Sequence, residues 1–101
     1  MSIHVTCGSG GAYSGGFVPV EIAAVDWSET LTSPGTTTNS VAAASPSYAR
    51  KILTISAYGA TAWVAIGPTP NAAINPRRRL GDGQTIQVAV EPGDKVAWAA
   101  A

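Results

Sequence analysis

At 101 residues the chain is the size of one small domain, and its charged residues are 12% of the total with no net charge, about half the charged share of an ordinary soluble domain. That balance excludes the broad basic footprint of a nucleic-acid-binding surface, the frequent apolar β-formers exclude a disordered chain, and no run of about 18 apolar residues offers a transmembrane helix. The single cysteine, Cys7, and single histidine, His4, exclude an intrachain disulfide and leave a zinc site short of ligands.

Residues 2–7 alternate, with Ile3, Val5 and Cys7 on one face and Ser2, His4 and Thr6 on the other, the pattern of a half-buried strand. Cys7 is expected as a small buried apolar residue and His4 as an exposed or hydrogen-bonded residue of the polar face. Residues 8–16, Gly-Ser-Gly-Gly-Ala-Tyr-Ser-Gly-Gly, predict a flexible loop that Tyr13 can anchor. No helix start follows it, so a phosphate cradle is not indicated. Residues 17–27 predict a strand apolar on both faces, and Pro19 places it at a sheet edge or a bulge. Residues 28–35 predict a linker ending in the Pro34-Gly35 turn. Three threonines lead a short strand predicted at 36–44, and the stretch 47–50 has room for a single helical turn.

Residues 51–58 predict a strand with Leu53, Ile55 and Ala57 on one face and Ile52, Thr54, Ser56 and Tyr58 on the other. A corner at Gly59-Ala60 leads into 61–66, where Ala62, Val64 and Ile66 alternate with Thr61, Trp63 and Ala65. Residues 67–83, with their prolines, the triplet Arg77-Arg78-Arg79 and the turn Leu80-Gly-Asp-Gly83, predict one long loop. In 84–90, Ile86, Val88 and Val90 face inward and Thr85, Gln87 and Ala89 outward. In Glu91-Pro-Gly-Asp94, proline presets the first corner position, glycine takes a positive φ and aspartate bonds nearby backbone. This predicts a hairpin or a strand-to-strand corner into a last strand that buries Val96 and Trp98. The sum is a single all-β domain, 1–101: an antiparallel β-sandwich, jelly-roll-like, of about seven or eight short strands.

Catalysis needs groups that converge. The acids Glu21, Glu29, Asp26, Asp82, Glu91 and Asp94 fall largely in predicted turns, and no serine sits in a strand-to-helix elbow. An enzyme is not expected, nor a metal or cofactor. Asp26 and Glu29 are close enough in sequence to meet, with loop solvation as their role. Arg77, Arg78 and Arg79 hold half of the six Lys/Arg residues. Forked guanidinium groups suit phosphate or carboxylate; an acidic protein surface or plain solvation outweighs nucleic acid on a neutral chain. Trp63 is an interface anchor if its face is outward and core if the sandwich is inverted. Low charge and a Ser/Thr/Ala-rich surface favour a protein partly covered in an assembly, or one displayed outside the cell. The Met1-Ser-Ile-His start has no basic region followed by an apolar one, so cytosolic synthesis is expected.

Four stretches carry a resemblance: Ile3-His-Val-Thr-Cys7, Glu29-Thr-Leu-Thr-Ser-Pro-Gly-Thr-Thr-Thr38, Val64-Ala-Ile-Gly-Pro-Thr-Pro70, and Gly83-Gln-Thr-Ile-Gln-Val-Ala-Val-Glu-Pro-Gly-Asp-Lys-Val-Ala97. Together they resemble small structural proteins of tailed bacteriophages encoded beside the major capsid protein. The resemblance implies a head decoration (cement) protein, a β-sandwich oligomer (dimer or trimer) that sits outside the shell and bridges its subunits. It implies the major capsid protein as partner, a virion location after assembly in the host cytoplasm, and neither membrane nor direct nucleic-acid contact. A tail or fibre component is the alternative within the particle. The rival class is a carbohydrate- or ligand-binding sandwich with Trp63 or Trp27 as a stacking platform.

Overall fold

Period-two alternation sorts the chain into strands with one apolar and one more polar face, and such strands bury their apolar faces by stacking as two sheets. The computed structural model describes residues 2–13, 16–42 and 50–101, and at 9–13, 16–25 and 50 its backbone alone. The strands are β1 (Ser2–Tyr13), β2 (Gly16–Leu31), β3 (Gly35–Thr36), β4 (Arg50–Tyr58), β5 (Ala62–Gly67), β6 (Arg78–Leu80), β7 (Thr85–Val90) and β8 (Lys95–Ala100). One sheet has the order β2-β1-β4-β7 and the other β3-β8-β5-β6, and every pairing is antiparallel. The result is a β-sandwich with a jelly-roll-like path, in which only β1–β2 and β5–β6 are chain neighbours within one sheet.

The inward residues are those the alternation assigns. Ile3, Val5 and Cys7 of β1 and Leu53, Ile55 and Ala57 of β4 meet Ala62 and Val64 of β5, Leu80 of β6 and Val96 and Trp98 of β8 in one buried cluster. Ile66, Ile86 and Val88 pack at its margin, and Val90 is buried within it. His4 stays on the opposite face of β1, its Nδ1 2.7 Å from the Thr30 hydroxyl.

Three predicted connections fold differently. Within the stretch 8–16, residues 8–13 and 16 are strand and not loop: β1 continues through Gly8, Gly10 and Gly11 and pairs with β2 out to Tyr13 opposite Gly16. Ladder hydrogen bonds need no side chain, so glycines can extend a hairpin. Their mark on it is a series of register shifts, between Cys7 and Gly8, Gly8 and Gly10, and Gly10 and Gly11, where glycine tolerates bulged geometry. The anchoring role expected of the Tyr13 side chain lies outside the described residues. Pro19 satisfies both of its expectations, since β2 is an edge strand and Pro19 falls in the shift between the pairs Gly10↔Glu21 and Gly11↔Val18.

The predicted linker at 28–35 is largely strand. β2 runs on to Leu31, opposite Ile3, because Trp27 and Leu31 still have core to cover. Of the strand expected at 36–44, the described residues 36–42 hold only Thr36 in a strand, the two-residue β3. Thr37 then turns inward: its hydroxyl accepts the Val96 N–H at 3.1 Å and donates to the Asn39 carbonyl at 3.0 Å. A side chain that bonds backbone in this way takes the chain out of the ladder. Residues 43–49, and with them most of the expected helical turn, lie outside the described residues.

Glu29 clamps this segment. Its carboxylate accepts the Thr38 N–H at 3.0 Å, the Asn39 N–H at 3.1 Å and the Asn39 Nδ2 at 2.9 Å. Burial pushes its pKa up, but these backbone and side-chain donors outweigh burial and hold it below the usual carboxylate value. A lowered folded-state pKa contributes stability that is complete above the unfolded value and is lost as pH falls through the folded one. Glu29→Gln is therefore expected to cost about 1 kcal/mol at neutral pH, a charged hydrogen-bond value discounted for exposure. In urea titrations the gap from wild type should close as pH drops below the carboxylate range; a pH-independent gap would show that the charge is not what the clamp uses.

The predicted 67–83 loop also contains a strand. Leu80 is fully buried, and β6 pairs Leu80, Arg79 and Arg78 with Ala62, Trp63 and Val64. The following turn is closed by the Gln84 N–H bonding to the Gly81 carbonyl at 2.9 Å, with Gly83 at φ 79°. The Glu91-Pro-Gly-Asp94 segment is a corner between sheets and not a hairpin, since β7 and β8 belong to different sheets. Gly93 has φ 90°, the Asp94 N–H bonds to the Glu91 carbonyl at 3.2 Å, and the Asp94 carboxylate accepts the Glu91 N–H at 3.0 Å. Val41 docks on this corner through two backbone bonds, 2.7 Å from Gly93 and 2.9 Å to Asp94.

Candidate interaction surface

The arginine triplet looks uniform in sequence, and the fold divides it. Residues 68–77 leave the end of β5 and return along the outer face of the β3-β8-β5-β6 sheet, passing a cis Asn75–Pro76 peptide. There Trp63, Ala65, Ala72, Ala97 and Ala99 form a second, smaller apolar cluster. Trp63 is thus on an outward face, as one of its two expectations required, but it is half-buried and already covered. The Arg77 guanidinium sits 4.0 Å from the centre of its ring, and Arg77 Nη1 donates to the Ala72 carbonyl at 3.1 Å. The stacked cation closes the loop onto the sheet. A sugar ring cannot stack on the face that Arg77 occupies. Trp27, the other proposed platform, packs against the core and donates its Nε1–H to the Ser40 carbonyl at 3.1 Å.

Arg77 is therefore a positioning residue. Arg77→Ala is expected to cost about 1 kcal/mol, since the lost cation–π contact and hydrogen bond are partly offset by removing a buried Nε that has no acceptor among the described residues. Tryptophan emission should shift to the red as Trp63 is uncovered, and limited proteolysis should gain a site within 67–77. Arg78→Ala should change neither readout; equal effects from both substitutions would refute the division.

Arg78 and Arg79 are exposed on β6. The pleat turns them apart: Arg79 lies opposite Trp63 on the outer face, and Arg78 lies opposite Val64, on the side where Leu80 enters the core. Beyond Arg78, β6 ends while β5 continues to Gly67. The gap opens a cleft of about 460 Å³ between the edges of the two sheets, lined by Val64, Ile66, Arg77, Arg78, Val88, Val90 and their neighbours, with Asp94 at the corner. A smaller groove of about 220 Å³ follows the loop past Pro68 and Pro70 to Ile74. Ile74 is 60% exposed, one of two large apolar side chains so presented among the described residues. Sequence reading missed it, because a lone isoleucine in a Pro/Asn loop carries no periodicity.

Asp26 and Glu29 do not form a pair. Asp26 meets Lys51 at 2.7 Å, while Glu29 serves the 38–39 backbone. Among the described residues no three His, Cys, Asp or Glu side chains gather in a way that could hold a metal ion. What the surface offers is recognition chemistry: an exposed apolar side chain, two exposed guanidinium groups and a cleft of mixed apolar and charged lining, held on strands or a stapled loop. The chain matches no protein-family model, no curated protein and no solved structure, so its role is argued from its own residues.

Proposed function

We propose that this protein is a structural binding module of a tailed-phage particle, a head decoration protein that docks as a homo-oligomer on the major capsid protein and bridges shell subunits. The observation that carries the reading is the stretch 74–79, in which Ile74, Arg78 and Arg79 are all exposed. An exposed apolar side chain and exposed forked cations on one short stretch suit an acidic protein surface. The low charge of the chain fits a protein that spends its working life partly covered, and the resemblance in 64–70 and 83–97 gives the particle context. Function in this role is mechanical: individually weak contacts multiplied by the valency of the shell.

The test is co-sedimentation of the purified protein with empty tailed-phage shells stripped of their own decoration protein. Saturable occupancy on the outer surface, with shells that better resist heat or low salt, is the expected result. A chain that remains monomeric and unbound across such shells would overturn the proposal.

A further inference from the structure

The cleft beside Arg78 has a second property, set by the hydrogen-bond phase of β7. The Ala57 N–H donates to the Gln84 carbonyl at 3.1 Å. In an antiparallel ladder, hydrogen-bonded and non-bonded pairs alternate. The pairs Ile55↔Ile86, Leu53↔Val88 and Lys51↔Val90 are therefore those that exchange bonds with β4. The peptide groups of Thr85, Gln87 and Ala89 point the other way, toward an edge that pairs with no strand among the described residues. Val88, Ala89 and Val90 line the cleft directly.

Sheet edges of this kind are usually blunted by charge, proline, a bulge or a cover. β7 reads Thr-Ile-Gln-Val-Ala-Val, with no charge and no proline, and its register with β4 is unbroken. Among the described residues no strand pairs with that edge, which makes it a template for one more strand. The opposite wall supplies the partly buried Ile66 and two cations, Arg77 and Arg78. Asp94 adds one negative charge, and its carboxylate is engaged by the Glu91 N–H.

We infer that this seam binds an extended, carboxylate-bearing segment of a partner protein, which adds to β7 as a further strand. The inference rests on reading the chain as a binding module and names the form of the partner. Backbone bonds to Gln87 and Ala89 supply affinity, alternate side chains enter the cleft over Ile66 and Val88, and a carboxylate meets Arg78. Charge complementarity favours this occupant over a second copy. A β7 strand from another protomer has no carboxylate within Thr85–Val90, so none stands within the strand to meet Arg78.

The experiment uses the full chain and a displayed library of random decapeptides. Enrichment of extended sequences carrying Asp or Glu is expected, with protection of the Gln87 and Ala89 amides from hydrogen exchange when such a peptide binds. Ala89→Pro removes an edge N–H without touching the β4 ladder and should weaken peptide binding by about tenfold or more. Ala89→Ser keeps the N–H and should bind as wild type, and Arg78→Glu should lose the preference for acidic peptides. No enrichment, enrichment without acids, or Gln87 and Ala89 amides that exchange equally with and without peptide would overturn the inference, whether or not Ala89→Pro folds. A wild-type dimer that Ala89→Pro converts to a monomer would assign the edge to a second copy and overturn it as well. Shell binding reports separately: wild-type occupancy by folded Ala89→Pro removes the inference and leaves the particle reading standing, while peptide binding without shell binding does the reverse.

Discussion

Leu53→Ala is expected to destabilise the protein by about 3 kcal/mol, the usual cost of deleting a fully buried leucine side chain and leaving a cavity. Leu53 is fully buried in the main core cluster, at the middle of β4, where it stands between Cys7 of β1 and Val88 of β7. Both lateral neighbours are backbone-paired, and the facing sheet is fixed by its own ladder, so the site has little freedom to collapse. A domain of this size has about 5–15 kcal/mol of total stability, and each kcal/mol is worth about 4–8 °C of melting temperature. A fall of roughly 12–24 °C in a thermal melt follows from those figures. Ala89→Ser, on the exposed side of β7, should stay within about 0.5 kcal/mol of wild type. A Leu53→Ala melt within a few degrees of wild type would mean that the two sheets do not pack as described.

The inward faces were legible because they depend on one local rule. Ile3, Val5 and Cys7, then Leu53, Ile55 and Ala57, then Ala62 and Val64, are period-two sets, and once one face is apolar a sandwich has one place to put it. The Pro92-Gly93 corner was legible for the same kind of reason, since its residue types answer a local backbone demand. Which sheet each strand joins was not. Whether β7 and β8 form a hairpin or cross between layers depends on β4 and β5 competing for them, and nothing in 91–94 records that competition.

The misread connections share a cause. Glycine content at 8–16 reports backbone freedom, yet a free backbone still pairs when a partner strand is at hand, and β2 supplies one. The strand character of 78–80 was concealed by its arginines, although Arg78 and Leu80 already show the two-residue spacing of a strand with one end in the core. The separate role of Arg77 could not be read locally at all. It depends on residues 68–77 folding back so that the guanidinium arrives over a tryptophan on another strand. The cleft is likewise a consequence of length, a three-residue β6 beside a six-residue β5, and becomes visible only when both strands are placed.

Arg78→Glu combined with Arg79→Glu separates binding from folding. Both side chains are exposed on β6, and neither is the residue that closes the loop, so unfolding free energy should stay within about 0.5 kcal/mol of wild type. On an acidic shell surface each reversal exchanges attraction for like-charge repulsion, which slows encounter and costs affinity. A loss of only about 1.4 kcal/mol per protomer is tenfold, and an oligomer that must hold several sites at once multiplies that loss. Occupancy in co-sedimentation should therefore collapse. Wild-type occupancy should decline as salt is raised, because exposed charge contacts are screened. Shells carrying the double variant at wild-type density, with an unchanged melting temperature, would remove Arg78 and Arg79 from the docking surface. The contact would then pass to Ile74 and the groove along 67–76, where Ile74→Asp becomes the discriminating substitution.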